Sequence, residues 1–268
     1  MKIVIDASLL LHGCAFVPTM GALHAGHQSL FLRAAQENEN VLASIFINPL
    51  QFENTSDLEN YPKKPERDIE LAQAAGVTEL WFPQYDELFP TGFATKTAGA
   101  LGELYEGKAR PGHFDGVLTV VDRLFQLAKP KSAIFGEKDF QQLSLIRTIA
   151  GDVAIVAAPT IRESDGLAMS SRNVRLSQED RIAALIIYKA LVVAESAVEL
   201  EVARNLMIST LANEPRFTLD YAEIIDEKDF SLVNSETAHA RAIISGWING
   251  IRLIDNMPMR NLSVGGLS

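Results

Sequence analysis

Short apolar runs recur along the first part of the chain, at Cys14–Val17, Val41–Ile47, Glu79–Phe82, Ser132–Phe135 and Val153–Ala158. Each has the length of a buried strand and is bounded by glycine, proline or polar residues. Between them, Gln28–Gln36, Pro65–Ala75, Gly116–Ala128 and Phe140–Ala150 repeat apolar positions at helical spacing, as at Leu30, Phe31 and Ala34. Strands alternating with helices build βαβ units, so the pattern predicts an α/β fold on a doubly wound, Rossmann-like parallel sheet. Pro18 and Gly21 predict the end of the first strand.

After residue 160 the texture changes. A polar segment leads into one long helix predicted over Gln178–Met207, and strand-like stretches follow at Leu219–Ile225 and Ala242–Ile254, broken by turns. This predicts residues 1–160 as the Rossmann-like domain and residues 161–268 as a smaller α+β C-terminal lid domain, with the boundary at Pro159–Ile161. No internal repeat or low-complexity tract interrupts the chain.

With 47% hydrophobic and 22% charged residues, the chain has the material for a substantial core. Its 24 basic against 34 acidic residues, net −10, argue against nucleic acid as a partner, because phosphate backbones are held chiefly by Lys and Arg. Cys14 is the only cysteine, which excludes an intramolecular disulfide and a Cys-rich zinc site and suits a reducing cytoplasm. Met1–Asp6 lacks the layout of a signal peptide, and no apolar run reaches the roughly 18 residues of a membrane span. A soluble, cytoplasmic protein without a membrane partner is expected.

Ligands of open α/β sheets gather at the carboxyl ends of the strands, so motifs directly after strands carry the functional signal. The first is His24-Ala25-Gly26-His27. Two imidazoles at a helix start, where backbone N–H groups lack partners, favour phosphoryl oxygens, and Gly26 permits close approach. Ordinary loop histidines are the plain alternative. The second, Phe46-Ile47-Asn48-Pro49-Leu50-Gln51-Phe52, puts two amides, Asn48 and Gln51, beyond a strand. A solvated turn capped by Asn48 would explain it equally well. The third runs Gly136-Glu137-Lys138-Asp139 into a helix carrying Gln142. Lys138 can meet a phosphate, and Asp139 can cap the helix or face magnesium through water. The bland alternative is a capped helix with a solvated lysine. The fourth, Met169-Ser170-Ser171-Arg172 after Gly166-Leu167-Ala168, offers two hydroxyls and a guanidinium as an oxyanion cradle on an expected mobile lid.

Together with Arg110-Pro111-Gly112-His113-Phe114-Asp115-Gly116-Val117 and Arg252-Leu253-Ile254-Asp255-Asn256, these stretches resemble the pantoate:β-alanine ligase family of the HxGH nucleotidyltransferases. The likeness runs from Phe16 to Asn256. The HxGH element is shared across the superfamily; the second, third and fourth motifs together are far more specific. The resemblance implies an AMP-forming ligase that condenses (R)-pantoate with β-alanine through a pantoyl adenylate, using ATP and Mg2+, as a homodimer.

It also implies roles for individual residues. Met20, Gly21, Ala22, Leu23, His24, Ala25, Gly26 and His27 would line the ATP site, with His24 and His27 on the phosphates. His27 occupies the place labelled proton donor, and an imidazole can change charge near neutral pH. Gly136, Glu137, Lys138 and Asp139 would contact ATP, Ile161 would meet adenine through its backbone, and Met169, Ser170, Ser171 and Arg172 form the second superfamily signature. His24, His27, Lys138, Ser170, Ser171 and Arg172 form the implied catalytic set, and no protein metal ligand is implied. Gln51 and Gln142 would hold pantoate, with Gln51 also near β-alanine, and Met20, Asn48, Tyr61 and Arg110 lie near that pocket.

Three departures stand out. Met1–Gly13 is shorter and more apolar than the family's leader, so its first helix is missing or replaced and weaker packing or altered assembly is expected. Phe140 stands where tyrosine is common, and Lys63 where arginine is usual. The alternatives to the ligase reading are another HxGH nucleotidyltransferase, which has no need of paired pantoate amides, and a non-catalytic nucleotide-binding module.

Overall fold

The computed structural model of the chain describes residues 1–52, 58–59 and 61–263. It divides into two compact units, Met1–Ile161 and Arg162–Ser268. The first carries strands β1 (Lys2–Val4), β2 (Ala15–Thr19), β3 (Val41–Ile45), β4 (Glu79–Trp81), β5 (Ser132–Gly136) and β6 (Ala154–Ala158). Its helices are α1 (Ala25–Glu37), α2 (Pro65–Ala74), α3 (Tyr85–Leu88), α4 (Tyr105–Ala109), α5 (His113–Ala128) and α6 (Phe140–Ile149). The strands form one six-stranded parallel sheet in the order β1-β4-β3-β2-β5-β6, the doubly wound arrangement the apolar pattern predicts.

Burial on both faces explains why these strands read as continuous apolar runs. Ala15 and Val17 of β2 pack with Phe31 and Ala34 of α1 on one face. Phe16, between them, meets Phe125 of α5 edge-on at 6.4 Å on the other. Each such fully buried large side chain contributes about 1.5–3 kcal/mol.

The chain order reverses between β2 and β5, and the sheet opens there. β2 pairs with β5 only at Ala15 and Phe16, whereas its pairing with β3 runs through to Thr19. Pro18 therefore lies inside β2 instead of ending it. Ala15 donates to Asn40 and Thr19 accepts from Phe46, so the odd positions face β3 and Pro18 faces the opened side, where no N–H is needed. The consequence is a crevice at the carboxyl ends of β2 and β5, the place where such sheets bind ligands.

The leader differs from both a helix and a loose tail. Lys2–Val4 pairs with β4 as the edge strand, and Glu79, 4% exposed, accepts from Lys2 Nζ and the Leu11 N–H, each at 3.0 Å. Val4, Ala7 and Leu10 are buried, while Ile3, Ile5, Leu9 and Leu11 remain exposed.

In the second unit, helices α7 (Gln178–Glu195) and α8 (Leu200–Leu211) pack on an antiparallel sheet of β7 (Phe217–Asp226), β8 (Ala240–Ile248) and β9 (Ile251–Pro258). The single helix expected over Gln178–Met207 is two. A straight helix of that length would span about 45 Å, against about 30 Å for a nine-residue strand such as β8. A break at Ser196–Glu199 folds the second half back, so Ala203 and Met207 reach the same core as Ala184 and Ile187. β8 and β9 join through Asn249-Gly250, both at positive φ (47° and 73°), as a tight hairpin requires.

Candidate active site

The histidine motif sits at the opened end of β2. His24 is the N-cap of α1, so the helix starts at Ala25, three residues before the apolar pattern shows it. The Gly26 N–H donates to His24 Nδ1 at 3.1 Å, and the His24 N–H donates to His27 Nδ1 at 3.3 Å. This is a capping box in which imidazoles take the parts usually played by Ser and Glu. Two corrections follow. The Gly26 N–H points to the His24 ring instead of serving as an open anion donor. And a backbone donor can only meet an unprotonated nitrogen, so both neutral rings carry their proton on Nε2.

The rings lie 4.1 Å apart, centroid to centroid. Burial lowers His24 from 6.5 to about 4, helped by the positive Lys138 and opposed by Asp139. Burial also takes His27 down to about 3, with His24 adding to the effect. His27 therefore does not change charge near neutral pH. Both imidazoles are neutral donors.

With folded values near 4 and 3 against an ordinary 6.5, the folded chain binds fewer protons than the unfolded one below that ordinary value. Stability is full above it and falls with pH down toward the folded values, by at most about 1.4 kcal/mol per pH unit for each group. Ring 15N shifts of His24 and His27 should stay neutral from about pH 8 to about pH 5. A titration of either ring at its ordinary value would contradict this geometry.

The loop between β2 and α1 is held by a residue the motifs do not contain. Asp68 of α2, 2% exposed, accepts from the Ala22 N–H at 2.9 Å and the Leu23 N–H at 2.7 Å. Ala22 has φ +51°, a left-handed conformation unfavourable for alanine, and the carboxylate offsets that strain. The only sequence signal was one acidic residue at an apolar-facing helix position.

After β3, Asn48 caps the short turn Pro49–Gln51, but it is buried, not solvated, at 1% exposure. Its Oδ1 accepts from the Leu50 N–H, and its Nδ2 donates to the Gly116 carbonyl and to Gln51 Oε1. Asn48 is thus a support for Gln51. The Gln51 amide nitrogen in turn lies 3.0 Å from Met20 Sδ, joining this loop to the end of β2. Arg110 reaches the Gln51 carbonyl at 3.4 Å, and Tyr61 stacks edge-on against Phe52 at 5.9 Å.

After β5, Glu137–Asp139 form a short turn that leads directly into α6. Lys138 Nζ lies 3.5 Å from the Asp139 carboxylate, and the Lys138 side chain is 18% exposed. Asp139 holds the N-cap position of α6, yet its side chain makes no capping bond, and the carboxylate lies beside the lysine instead. The two glutamines that follow divide: Gln141 donates to the Leu101 and Leu104 carbonyls and accepts from the Glu106 N–H, while Gln142 is half-buried one position on.

In the second unit, Ser170 caps the turn Ser171–Arg175 by accepting from the Arg172 N–H at 3.2 Å, and Met169–Arg172 are half-buried. The segment before it is fastened by Arg162, whose guanidinium bonds both oxygens of Asp255 (2.5 and 3.0 Å) and the Gly166 carbonyl, and lies over the Tyr188 ring at 4.7 Å. This gives the Arg252–Asn256 motif a structural role. Among the described residues, no helix is long and apolar enough to cross a membrane.

Residues 6–258 match the family model described as Pantoate-beta-alanine ligase. The chain belongs to this family. It is 45% identical over 261 residues to a pantothenate synthetase of Thermus thermophilus, covering 94% of this chain and 95% of that one. It is 44% identical over 256 residues to one of Herpetosiphon aurantiacus, covering 91% and 92%. A crystal structure of the pantothenate synthetase from Thermus thermophilus superposes with a TM-score of 0.91 at 42% identity, covering 97% of this chain and 99% of that one. The pantoate-beta-alanine ligase of Francisella tularensis, complexed with beta-gamma ATP and beta-alanine, does so at 0.79 and 35%, covering 97% and 98%. For a pantoate-beta-alanine ligase, the loops after β2, β3 and β5 stand where a doubly wound sheet binds its ligands. The broader readings, another HxGH nucleotidyltransferase or a non-catalytic module, draw no support from these matches.

Proposed function

We propose that this chain condenses pantoate with β-alanine at the expense of ATP, and that the crevice between β2 and β5 is where ATP is activated. A carboxylate oxygen of pantoate attacks the α-phosphorus, the bond to the β-phosphate breaks, and pyrophosphate leaves. The amine of β-alanine then attacks the acyl carbon of pantoyl adenylate, the acyl–oxygen bond breaks, AMP leaves, and the nitrogen loses a proton to solvent. Neither step needs a protein nucleophile; both need positioning and neutralisation of phosphate charge. The observation that carries the reading is the neutral His24–His27 pair, with Nε2–H donors and the Lys138 ammonium near enough to shift His24. Fixed donors of this kind stabilise charge as it develops on the phosphoryl oxygens.

The remaining roles follow the loops. Met20 to His27 and Gly136 to Asp139 line ATP, Ile161 offers its backbone to adenine, and Met169, Ser170, Ser171 and Arg172 offer an oxyanion cradle for phosphate. Gln51 and Gln142 hold pantoate, with Tyr61 at the edge of that pocket. Among the described residues, no group of three His, Cys, Asp or Glu could hold a metal ion. The magnesium ion would be carried mainly by the ATP phosphates, with Asp139 beside them. Bound there, it would neutralise charge on the leaving pyrophosphate. A homodimer in the cytoplasm completes the proposal. Cys14 suits that compartment, being buried as a thiol that burial raises to about 11.

The test is AMP release that requires pantoate, β-alanine and ATP together. AMP formed without pantoate would reject the reading. Gln51→Ala should raise the KM for pantoate by roughly tenfold to a hundredfold, the cost of about 1.5–3 kcal/mol in lost hydrogen bonding. ATP affinity should hardly move, and an equal loss of both would remove Gln51 from the pantoate site.

A further inference from the structure

The motif Arg110-Pro111-Gly112-His113 opens α5, and the function above gives His113 no role. Its ring is nonetheless constrained from two sides. His113 is 8% exposed, with Nδ1 2.9 Å from the Gln51 carbonyl oxygen and Nε2 3.0 Å from Arg110 Nη1. A guanidinium can only donate, so Nε2 must be the acceptor; a carbonyl can only accept, so Nδ1 must carry the hydrogen. Both neighbours demand the same neutral tautomer. An imidazolium, or the Nε2–H form, would set a ring N–H against the Arg110 donor.

What this ring holds is the backbone of the residue assigned to pantoate. Gln51 ends the turn Pro49–Gln51, and its carbonyl receives the His113 N–H and a longer bond from Arg110 Nη2 at 3.4 Å. One turn along α5, the Gly116 carbonyl accepts from Asn48 Nδ2, and the same Asn48 amide holds Gln51 Oε1. The first turn of α5 therefore fixes the backbone of Gln51 and, through Asn48, the rotamer of its side chain.

We infer that His113, held as its Nδ1–H tautomer by Arg110, is a positioning residue that orients Gln51 and so sets the affinity for pantoate without touching it. The inference rests on the pantoate assignment of Gln51. It also gives Arg110, which the resemblance places near the pantoate pocket, the task of selecting the His113 tautomer.

Two measurements on the full chain test it. Long-range 1H–15N correlation spectra near neutral pH should show one of the five histidines in the Nδ1–H pattern, and that pattern should vanish in His113→Asn. An Nε2–H or imidazolium pattern for His113 overturns the inference. In calorimetry, His113→Ala should weaken pantoate binding by about tenfold or more, the worth of one buried hydrogen bond. His113→Asn, which keeps an N–H within reach of the Gln51 carbonyl, should recover most of that loss, and ATP affinity should stay unchanged in both. Undiminished pantoate binding by His113→Ala, or an equal loss for ATP, overturns it. A wild-type chain that shows the Nδ1–H pattern but does not bind pantoate rejects the functional assignment of Gln51 and leaves the tautomer standing.

Discussion

Alanine in place of Lys138 should slow formation of the pantoyl adenylate by about two to four orders of magnitude, a loss of about 3–5 kcal/mol in transition-state stabilisation. Its ammonium stands on the turn immediately after β5, 18% exposed and beside the Asp139 carboxylate. In that half-buried position a charge acts on a developing oxyanion with little competition from water. His27→Ala belongs in the same range for a different reason: it removes a neutral Nε2–H donor and also the acceptor for the His24 N–H. His27→Gln separates the two losses, since a glutamine can restore the cap of α1 without returning an imidazole. Quenched single-turnover assays measure the step directly. Wild-type rates in Lys138→Ala or His27→Ala would remove that residue from the chemistry.

Gly116→Ala is the substitution expected to damage the fold and the pantoate site together. In an ordinary helix interior this change is stabilising by about 1 kcal/mol. Here a Cβ would lie 2.2 Å from the Leu50 carbonyl oxygen, 2.4 Å from its carbon and 2.8 Å from the Gln51 nitrogen. All three are backbone atoms, so no side-chain rotation relieves the overlap. Either α5 withdraws or the turn Pro49–Gln51 shifts, and the bond from Asn48 to the Gly116 carbonyl at 3.0 Å is lost. Overpacking plus a buried unpaired amide should cost about 2–4 kcal/mol. That corresponds to a Tm lower by roughly 5–15 °C in a chain of this size. Pantoate affinity should fall with it, because Gln51 moves. An unchanged Tm with unchanged pantoate binding would mean that α5 and the turn are not packed as described.

The layout of these elements was legible in the sequence where burial is simplest. Parallel strands covered on both faces, such as Ala15–Val17 and Ala133–Phe135, read as uninterrupted apolar runs. Edges and ends were less readable. β1 is a three-residue edge strand in which only Val4 is buried, too short to show a period. The start of α1 was hidden because histidine is not a usual cap, and the break between α7 and α8 carries no glycine or proline. The site divides in the same way. His24, His27, Gln51 and Lys138 announce themselves by following strands. Asp68, which no motif contains, acts from 45 residues away on the Leu23 N–H, and His113, whose motif carries no role of its own in the sequence, acts from 62 residues away on the Gln51 carbonyl; only the fold brings them there. Asn48 was legible as a cap, but its burial, which makes it a support for Gln51, came only with α5 in place.

The central claim is that pantoate attacks the α-phosphorus of ATP in the crevice between β2 and β5. Exchange of labelled pyrophosphate into ATP measures that step alone. With folded protein and magnesium, exchange should require pantoate, proceed without β-alanine, and give way to AMP release when β-alanine is added. No exchange under those conditions, or exchange that proceeds without pantoate, would contradict it.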